Sequence, residues 1–193
     1  MSIPFLRAAW RDPKGIGSIW PSSPALAREM VRAATLSPGD RVVEVGAGTG
    51  PVTRELMTHS GPCFALEPEP ALAQIAREAA PTIEIVEDRA EALPHLLAAR
   101  GWPHADAVIS SLPFAAWPDA QQDAVLDAFE RTLGPGSRLV TFTYVVSRAM
   151  PSGKRLFKTL NDRFGPVEVS PTVWACLPPC VVYSVVCNRP DGA

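Results

Sequence analysis

The chain has 193 residues, 47% of them apolar and 20% charged, with a net charge of -2; this is ordinary globular usage and excludes a disordered or fibrous class. One sizeable core fits this length but a doubly wound domain plus a complete second domain does not, so one domain is expected over residues 1–193. No apolar run approaches the roughly 18 to 20 residues that span a bilayer, so any contact with a membrane is expected to be peripheral.

At the start of the chain, Phe5, Leu6 and Trp10 alternate with Arg7, Arg11 and Lys14, a pattern expected to make residues 1–22 an amphipathic segment facing a membrane. Ser23-Pro24 ahead of 25–32 predicts a capped helix, with the Ser23 oxygen as cap and Pro24 at the first helical position. The turn Ser37-Pro38-Gly39-Asp40 leads into a first strand at 41–45, and a glycine loop and a helix over 51–59 follow it. The alternation continues: strand 63–67, helix 69–79, strand 82–86, helix 91–100, strand 105–110, helix 119–132. Gly134-Pro135-Gly136 then turns into strand 139–144. Strands separated by helices predict a mostly parallel sheet covered on both faces. Past residue 165, the runs 167–174 and 181–187 have no helix between them and read as a terminal antiparallel pair. The fold class is therefore α/β, a Rossmann-like seven-stranded sheet that is parallel except at its C-terminal end.

Charge is segregated along the chain. Residues 1–32 carry five Arg or Lys against two acids, residues 148–163 five against one, and residues 33–147 seven against fifteen. An acidic body between basic flanks suggests that the flanks meet something anionic. In the second flank Lys154, Arg155 and Lys158 surround an apolar stripe of Leu156, Phe157, Leu160 and Phe164; the stripe fits either a membrane interface or a core face. The four cysteines lack C-x-x-C spacing and no secretory signal precedes them, so a reducing, cytoplasmic setting is expected. His59, His95 and His104 lack metal-ligand spacing and read as surface residues, and no metal is expected.

The chemistry concentrates in Glu44-x-Gly46-x-Gly48-x-Gly50. Glycines at these positions permit positive φ and let the backbone approach a ligand where a Cβ would collide. A dinucleotide fingerprint would read G-x-G-x-x-G; here the third glycine comes one residue early and an acid precedes the first. This motif resembles the cofactor loop of class I S-adenosylmethionine-dependent methyltransferases. Glu67, at the end of the second strand, stands where that family accepts the ribose hydroxyls. Asp88-Arg89-Ala90, after the third strand, resembles its adenine-contacting loop. Three strand ends thus agree on S-adenosylmethionine as cofactor.

The acceptor side begins at Ser110-Ser111-Leu112-Pro113-Phe114, where the Leu-Pro-Phe portion looks like an amino-methylating enzyme. In order along the chain, Phe5-Leu6-Arg7, Pro21-Ser22-Ser23, Ser-x-Leu-Pro at 110–113, Phe142-Thr143-Tyr144 and Leu177-Pro178-Pro179 resemble bacterial phospholipid N-methyltransferases. That resemblance implies successive methylation of phosphatidylethanolamine toward phosphatidylcholine, at the inner face of the cytoplasmic membrane. It places Ser110 against both cofactor and acceptor and makes Tyr144 a candidate for orienting the amine. The aromatic residues expected nearest the head group are Phe114, Trp117, Tyr144 and Trp20, because a quaternary ammonium is held by aromatic faces. Two other readings stand beside it. One is an RNA adenine N6-methyltransferase, suggested by Leu-Pro-Phe and disfavoured by the acidic body, so that no nucleic acid partner is expected. The other is a cofactor-binding module without turnover.

Overall fold

The computed structural model describes residues 23–188; the predicted amphipathic segment 1–22, with Phe5, Leu6, Arg7, Trp10, Arg11, Lys14 and Trp20, lies outside the described residues. The elements run α1 Pro24–Ala34, β1 Val42–Val45, α2 Pro51–Leu56, β2 Cys63–Leu66, α3 Pro70–Ala79, β3 Glu84–Val86, α4 Leu93–Ala99, β4 Ala105–Ser110, α5 Asp119–Thr132, β5 Leu133–Tyr144, α6 Pro151–Arg163, β6 Val167–Val169 and β7 Cys180–Val186. Short 3₁₀ turns occupy Ala90–Ala92, Phe114–Ala116 and Val146–Ala149.

One seven-stranded sheet carries them all, in the order β3-β2-β1-β4-β5-β7-β6. The first five strands pair in parallel, and β7 lies antiparallel between β5 and β6. The expected fold class is the one observed. Because helices cover both faces, β1 is buried at every position, as a parallel strand in a doubly covered sheet must be. Val43 and Val45 contribute to one core with Phe64, Leu66, Val108, Leu139 and Tyr183. Val42 joins the other, with Leu26, Met30, Ile109, Val140 and Val182.

Local chemistry fixes the element ends. The Ser23 hydroxyl accepts the Leu26 N–H (3.2 Å) and starts α1, as its sequence predicts, and Thr35 ends the helix at φ 46°. Two boundaries differ by five residues or more from those the sequence predicts. Gly134-Pro135-Gly136 is not a separate turn: β5 begins at Leu133, directly after α5. Ser137 is the reason. Its hydroxyl donates to the Ala105 carbonyl (2.7 Å) and accepts the Gly134 N–H (3.1 Å), so an irregular stretch stays stitched to β4. At the other edge β6 stops at Val169 rather than reaching 174: the Val182 N–H donates to the Ser170 hydroxyl (2.9 Å) in place of the Ser170 carbonyl, and pairing resumes only as an isolated bridge between Val173 and Cys180.

Helix α6 settles the stripe in the second basic flank. Leu156 and Leu160 are fully buried and Phe164 nearly so, packed with Val181, Tyr183 and Val185 of β7. That face belongs to the core. Leu156→Ala and Leu160→Ala are each expected to lower stability by about 2–5 kcal/mol through loss of buried methyl groups and the cavity left behind. Lys158→Ala, at an exposed pair with Asp162, should change it by less than about 1 kcal/mol. Urea unfolding midpoints check both, and equal midpoints for all three variants would contradict the packing.

Candidate active site

Four strand ends meet at one edge of the sheet. Strand β1 ends at Val45 and runs into the glycine loop, β2 delivers Glu67, β3 delivers Asp88, and β4 delivers Ser110 and the Ser111-Leu112 turn. The chain leaves β1 toward β2 and β3 on one side and returns to β4 on the other. The loop therefore sits where the strand order reverses, and ligands of open α/β sheets bind in that crevice.

The end of β2 holds the loop. The Leu66 carbonyl accepts N–H groups from Gly46 (2.9 Å) and Ala47 (3.0 Å). One carboxylate oxygen of Glu67 accepts the Gly48 N–H (2.8 Å) and the other the Glu69 N–H (3.1 Å). Each oxygen retains a lone pair for a further donor. Gly48 adopts φ +57°, in open space, so it is its backbone conformation that demands glycine. Gly50 adopts φ +82°, and a Cβ there would lie 3.0 Å from the Ala79 Cβ and 3.2 Å from the Ala76 Cα, so it also lets α3 pack close.

Glu44 lies beneath this loop, 1% exposed, and one of its carboxylate oxygens is buried without a hydrogen-bond partner. Burial pushes its carboxyl up to about 7; the Thr53 hydroxyl opposes the shift and the Glu67 charge adds to it. A buried carboxyl with an unanswered oxygen fits a cationic ligand group.

A cavity of about 230 Å³ opens beside the loop, walled by Val45, Gly46, Leu66 and Pro68, by Asp88 to Glu91, and by Leu112, Trp117, Gln121 and Val125. Asp88 accepts the Arg89 N–H (2.7 Å), which shapes that corner. The sequence singled out Asp88, Arg89 and Trp117. It missed Glu91, Gln121 and Leu112 as wall residues, because only the packing of α5 against the 3₁₀ turn at 90–92 brings those segments together.

Three expected acceptor residues sit differently from expectation. Phe114 is 1% exposed and packs edge-on against Trp117 (5.6 Å) and Phe129 (6.2 Å), so it is a core residue and not a head-group contact. The aromatic in the cavity wall is Trp117. Ser110 is fully buried and its hydroxyl accepts the Leu112 N–H (3.4 Å), so it shapes the turn from below. Ser110 pairs with Thr141, which leaves Tyr144 three residues farther along, roughly 10 Å past that level. There it is half-buried against Phe142 (5.7 Å) and outside the cavity wall; burial and the Cys180 and Cys176 thiols raise its phenol above the ordinary value.

Arg155 also departs from its expected role. It pairs with Asp119 (3.1 Å) and Asp123 (2.8 Å) and donates to the Gln122 side-chain carbonyl (3.2 Å). Gln122, fully buried, spends its two N–H donors on the Phe114 (2.8 Å) and Trp117 (3.1 Å) carbonyls. The guanidinium thus holds the turn that carries Trp117 rather than facing outward. Of the three histidines expected at the surface only His95 is exposed: His59 and His104 are half-buried, the Nε2 of His59 lying 2.8 Å from the Asp40 carbonyl oxygen and that of His104 2.9 Å from Arg41, which pairs with Asp106 (2.8 Å). Among the described residues no group of three or more His, Cys, Asp or Glu is placed to hold a metal ion, and no helix is long and apolar enough to cross a membrane.

Residues 42–136 match a family model described as a methyltransferase domain. The chain is 30% identical over 173 residues to an ornithine lipid N-methyltransferase of Singulisphaera acidiphila, covering 86% of this chain and 90% of that protein. It is 29% identical over 177 residues to ribosomal RNA small subunit methyltransferase A of Thermotoga maritima, covering 84% of this chain and 62% of that protein. Its fold resembles the crystal structure of magnesium protoporphyrin IX methyltransferase from Synechocystis with bound S-adenosylmethionine, at a TM-score of 0.64 and 14% identity, covering 97% of this chain and 92% of that one.

The buried carboxyl makes stability depend on pH. Folded Glu44 keeps its proton to about 7 while an unperturbed carboxyl loses it near 4.5. The folded state therefore binds more protons between those values, and stability falls as pH rises through them, then levels off. The loss is on the order of 3 kcal/mol. Glu44→Gln should flatten that part of the profile; urea unfolding at a series of pH values tests it, and an unchanged slope would show that Glu44 titrates normally.

Proposed function

The chain belongs to the class I S-adenosylmethionine-dependent methyltransferases, and on that footing we propose that it methylates the amine of a phosphatidylethanolamine head group, successively toward phosphatidylcholine, at a membrane surface. The observation that carries the acceptor is the extent of the likeness to a lipid N-methyltransferase: this chain spans 90% of that protein, against 62% of the ribosomal RNA methyltransferase. The fifteen acids against seven bases of residues 33–147 also disfavour RNA as the acceptor.

S-adenosylmethionine supplies an activated methyl group on its sulfonium and carries a zwitterionic amino-acid end with an ammonium. The unpartnered oxygen of Glu44 suits that ammonium, Gly46 and Gly48 are only partly buried and leave the backbone open to it, and Gly50 lets the loop close against α3. Glu67, with acceptor capacity left on both oxygens, suits the ribose hydroxyls. Asp88 and Arg89 line the corner that suits the adenine ring.

Methyl transfer to an amine asks the protein to position, desolvate and receive the amine unprotonated. Trp117 offers an aromatic face to the quaternary ammonium, permanently charged, that the last round of methylation leaves. Ser110 contributes by fixing the turn beneath Trp117. Phe5, Leu6, Arg7, Trp10, Arg11 and Lys14 form the lipid-facing lead-in of this reading, together with Lys154 and Lys158.

Labelled S-adenosylmethionine offered in parallel with liposomes containing phosphatidylethanolamine and with RNA tests the proposal. Label is expected in the lipid fraction; label in RNA alone would sink the lipid reading, and label in neither would leave a binding module. Glu44→Gln and Glu67→Gln should each weaken cofactor binding by roughly tenfold or more, the scale of a lost charged hydrogen bond. Calorimetric titration should also show wild-type affinity rising as Glu44 ionises through about pH 7, and a flat profile would remove Glu44 from the ammonium site.

A further inference from the structure

Five of the eight large apolar side chains exposed among the described residues gather at one end of the sheet. Val145, Val146 and Met150 lie on the turn after β5, and Trp174 and Leu177 on the loop between β6 and β7. The Val145 N–H donates to the Pro179 carbonyl (2.9 Å), which ties the turn to that loop. Trp174 is 78% exposed and Leu177 74%. A grouped apolar surface of this kind marks a contact with a partner.

Charge narrows the partner. Arg148 and Lys154 stand in a cleft of about 390 Å³ beside this surface, over Phe157 and Tyr183. The sequence has no Asp or Glu from 131 to 161 and none from 169 to 188. Exposed apolar groups beside Lys154 and Arg148, whose guanidinium also meets the Tyr183 hydroxyl, complement a surface that offers acyl chains beneath anionic phosphates. Tryptophan, with an apolar ring and a polar N–H, favours that boundary.

Topology supplies the direction. The carboxyl ends of β1, β4 and β5 share one edge, and β7, antiparallel to β5, begins at that edge with Cys180 opposite Tyr144. The apolar turn starts one residue after Tyr144. The surface therefore lies at the same edge as the glycine loop.

We propose that this edge docks on an anionic lipid bilayer, with Trp174 and Leu177 entering the interface and Arg148 and Lys154 meeting lipid phosphates. The proposal deepens, and rests on, the lipid-acceptor reading, since docking here turns the cofactor edge toward the head groups.

Sedimentation of the full chain with vesicles of phosphatidylcholine, with and without phosphatidylglycerol, tests it. The wild type should bind the anionic vesicles preferentially. Trp174→Ser/Leu177→Ser should lose roughly tenfold or more in partitioning. Arg148→Gln/Lys154→Gln should lose a similar factor together with most of the preference for phosphatidylglycerol. Circular dichroism melting curves should match the wild type for both, since the substituted side chains are at the surface. Vesicle binding unchanged in both variants would overturn the proposal. So would substitutions that split a dimer without affecting vesicle binding, which would assign the surface to a second copy, or binding lost only when Arg7 and Arg11 are replaced. A micelle-dispersed short-chain phosphatidylethanolamine separates the two claims. If it is methylated while the surface variants bind vesicles normally, docking here fails and the acceptor stands; if it is not methylated while the variants lose vesicle binding, the acceptor fails and the docking surface stands.

Discussion

Three consecutive N–H groups of the glycine loop are captured by the end of one neighbouring strand, two by the Leu66 carbonyl and one by the Glu67 carboxylate. The rest of the site depends on that capture. A loop containing three glycines at positive φ has little intrinsic preference for one conformation, and these bonds, about 0.5–1.5 kcal/mol each to the carbonyl and about 1.5–3 kcal/mol to the carboxylate, select one. Because β1 lies between β2 and β4, the same arrangement opens a crevice toward β4, and the acid before the first glycine is left buried beneath it.

Glu44 and Glu67 are placed to divide the work. Glu67 is satisfied by backbone donors and still able to accept more, a structural anchor with spare capacity. Glu44 has a buried oxygen with nothing to accept, which costs stability as soon as the group ionises. On the proposed reading a cationic ligand end offsets that cost, and a carboxyl perturbed by burial at a strand end is a candidate for such a role.

On the acceptor side the fold uses charge internally. Arg155 looks, along the sequence, like one more cation of a basic flank; in the structure its guanidinium braces Gln122, and Gln122 holds the turn that presents Trp117. The cations left to meet an external anion are then fewer than the flank suggests, and Arg148 and Lys154, beside exposed apolar residues, are better placed than the face of α6 as a whole.

The order of strands and helices, the glycine loop and the place of Glu67 at the end of the second strand were legible in the sequence by itself. These are local signals: hydrophobic period, turn residues and glycine spacing act over a few residues and do not depend on what packs elsewhere. The structure alone decided which surfaces those elements show. An apolar stripe on α6 reports that one face avoids water, not whether protein or lipid covers it, and β7 turned out to cover it. Phe114 and Trp117 are three residues apart and equally aromatic, and only the packing of Phe129 against the former sent one to the core and left the other at the cavity. Ser137 kept β5 intact through a stretch that reads as a turn, by a bond to a carbonyl thirty-two residues away. Side-chain destination is set by such distant contacts, which sequence order does not encode locally.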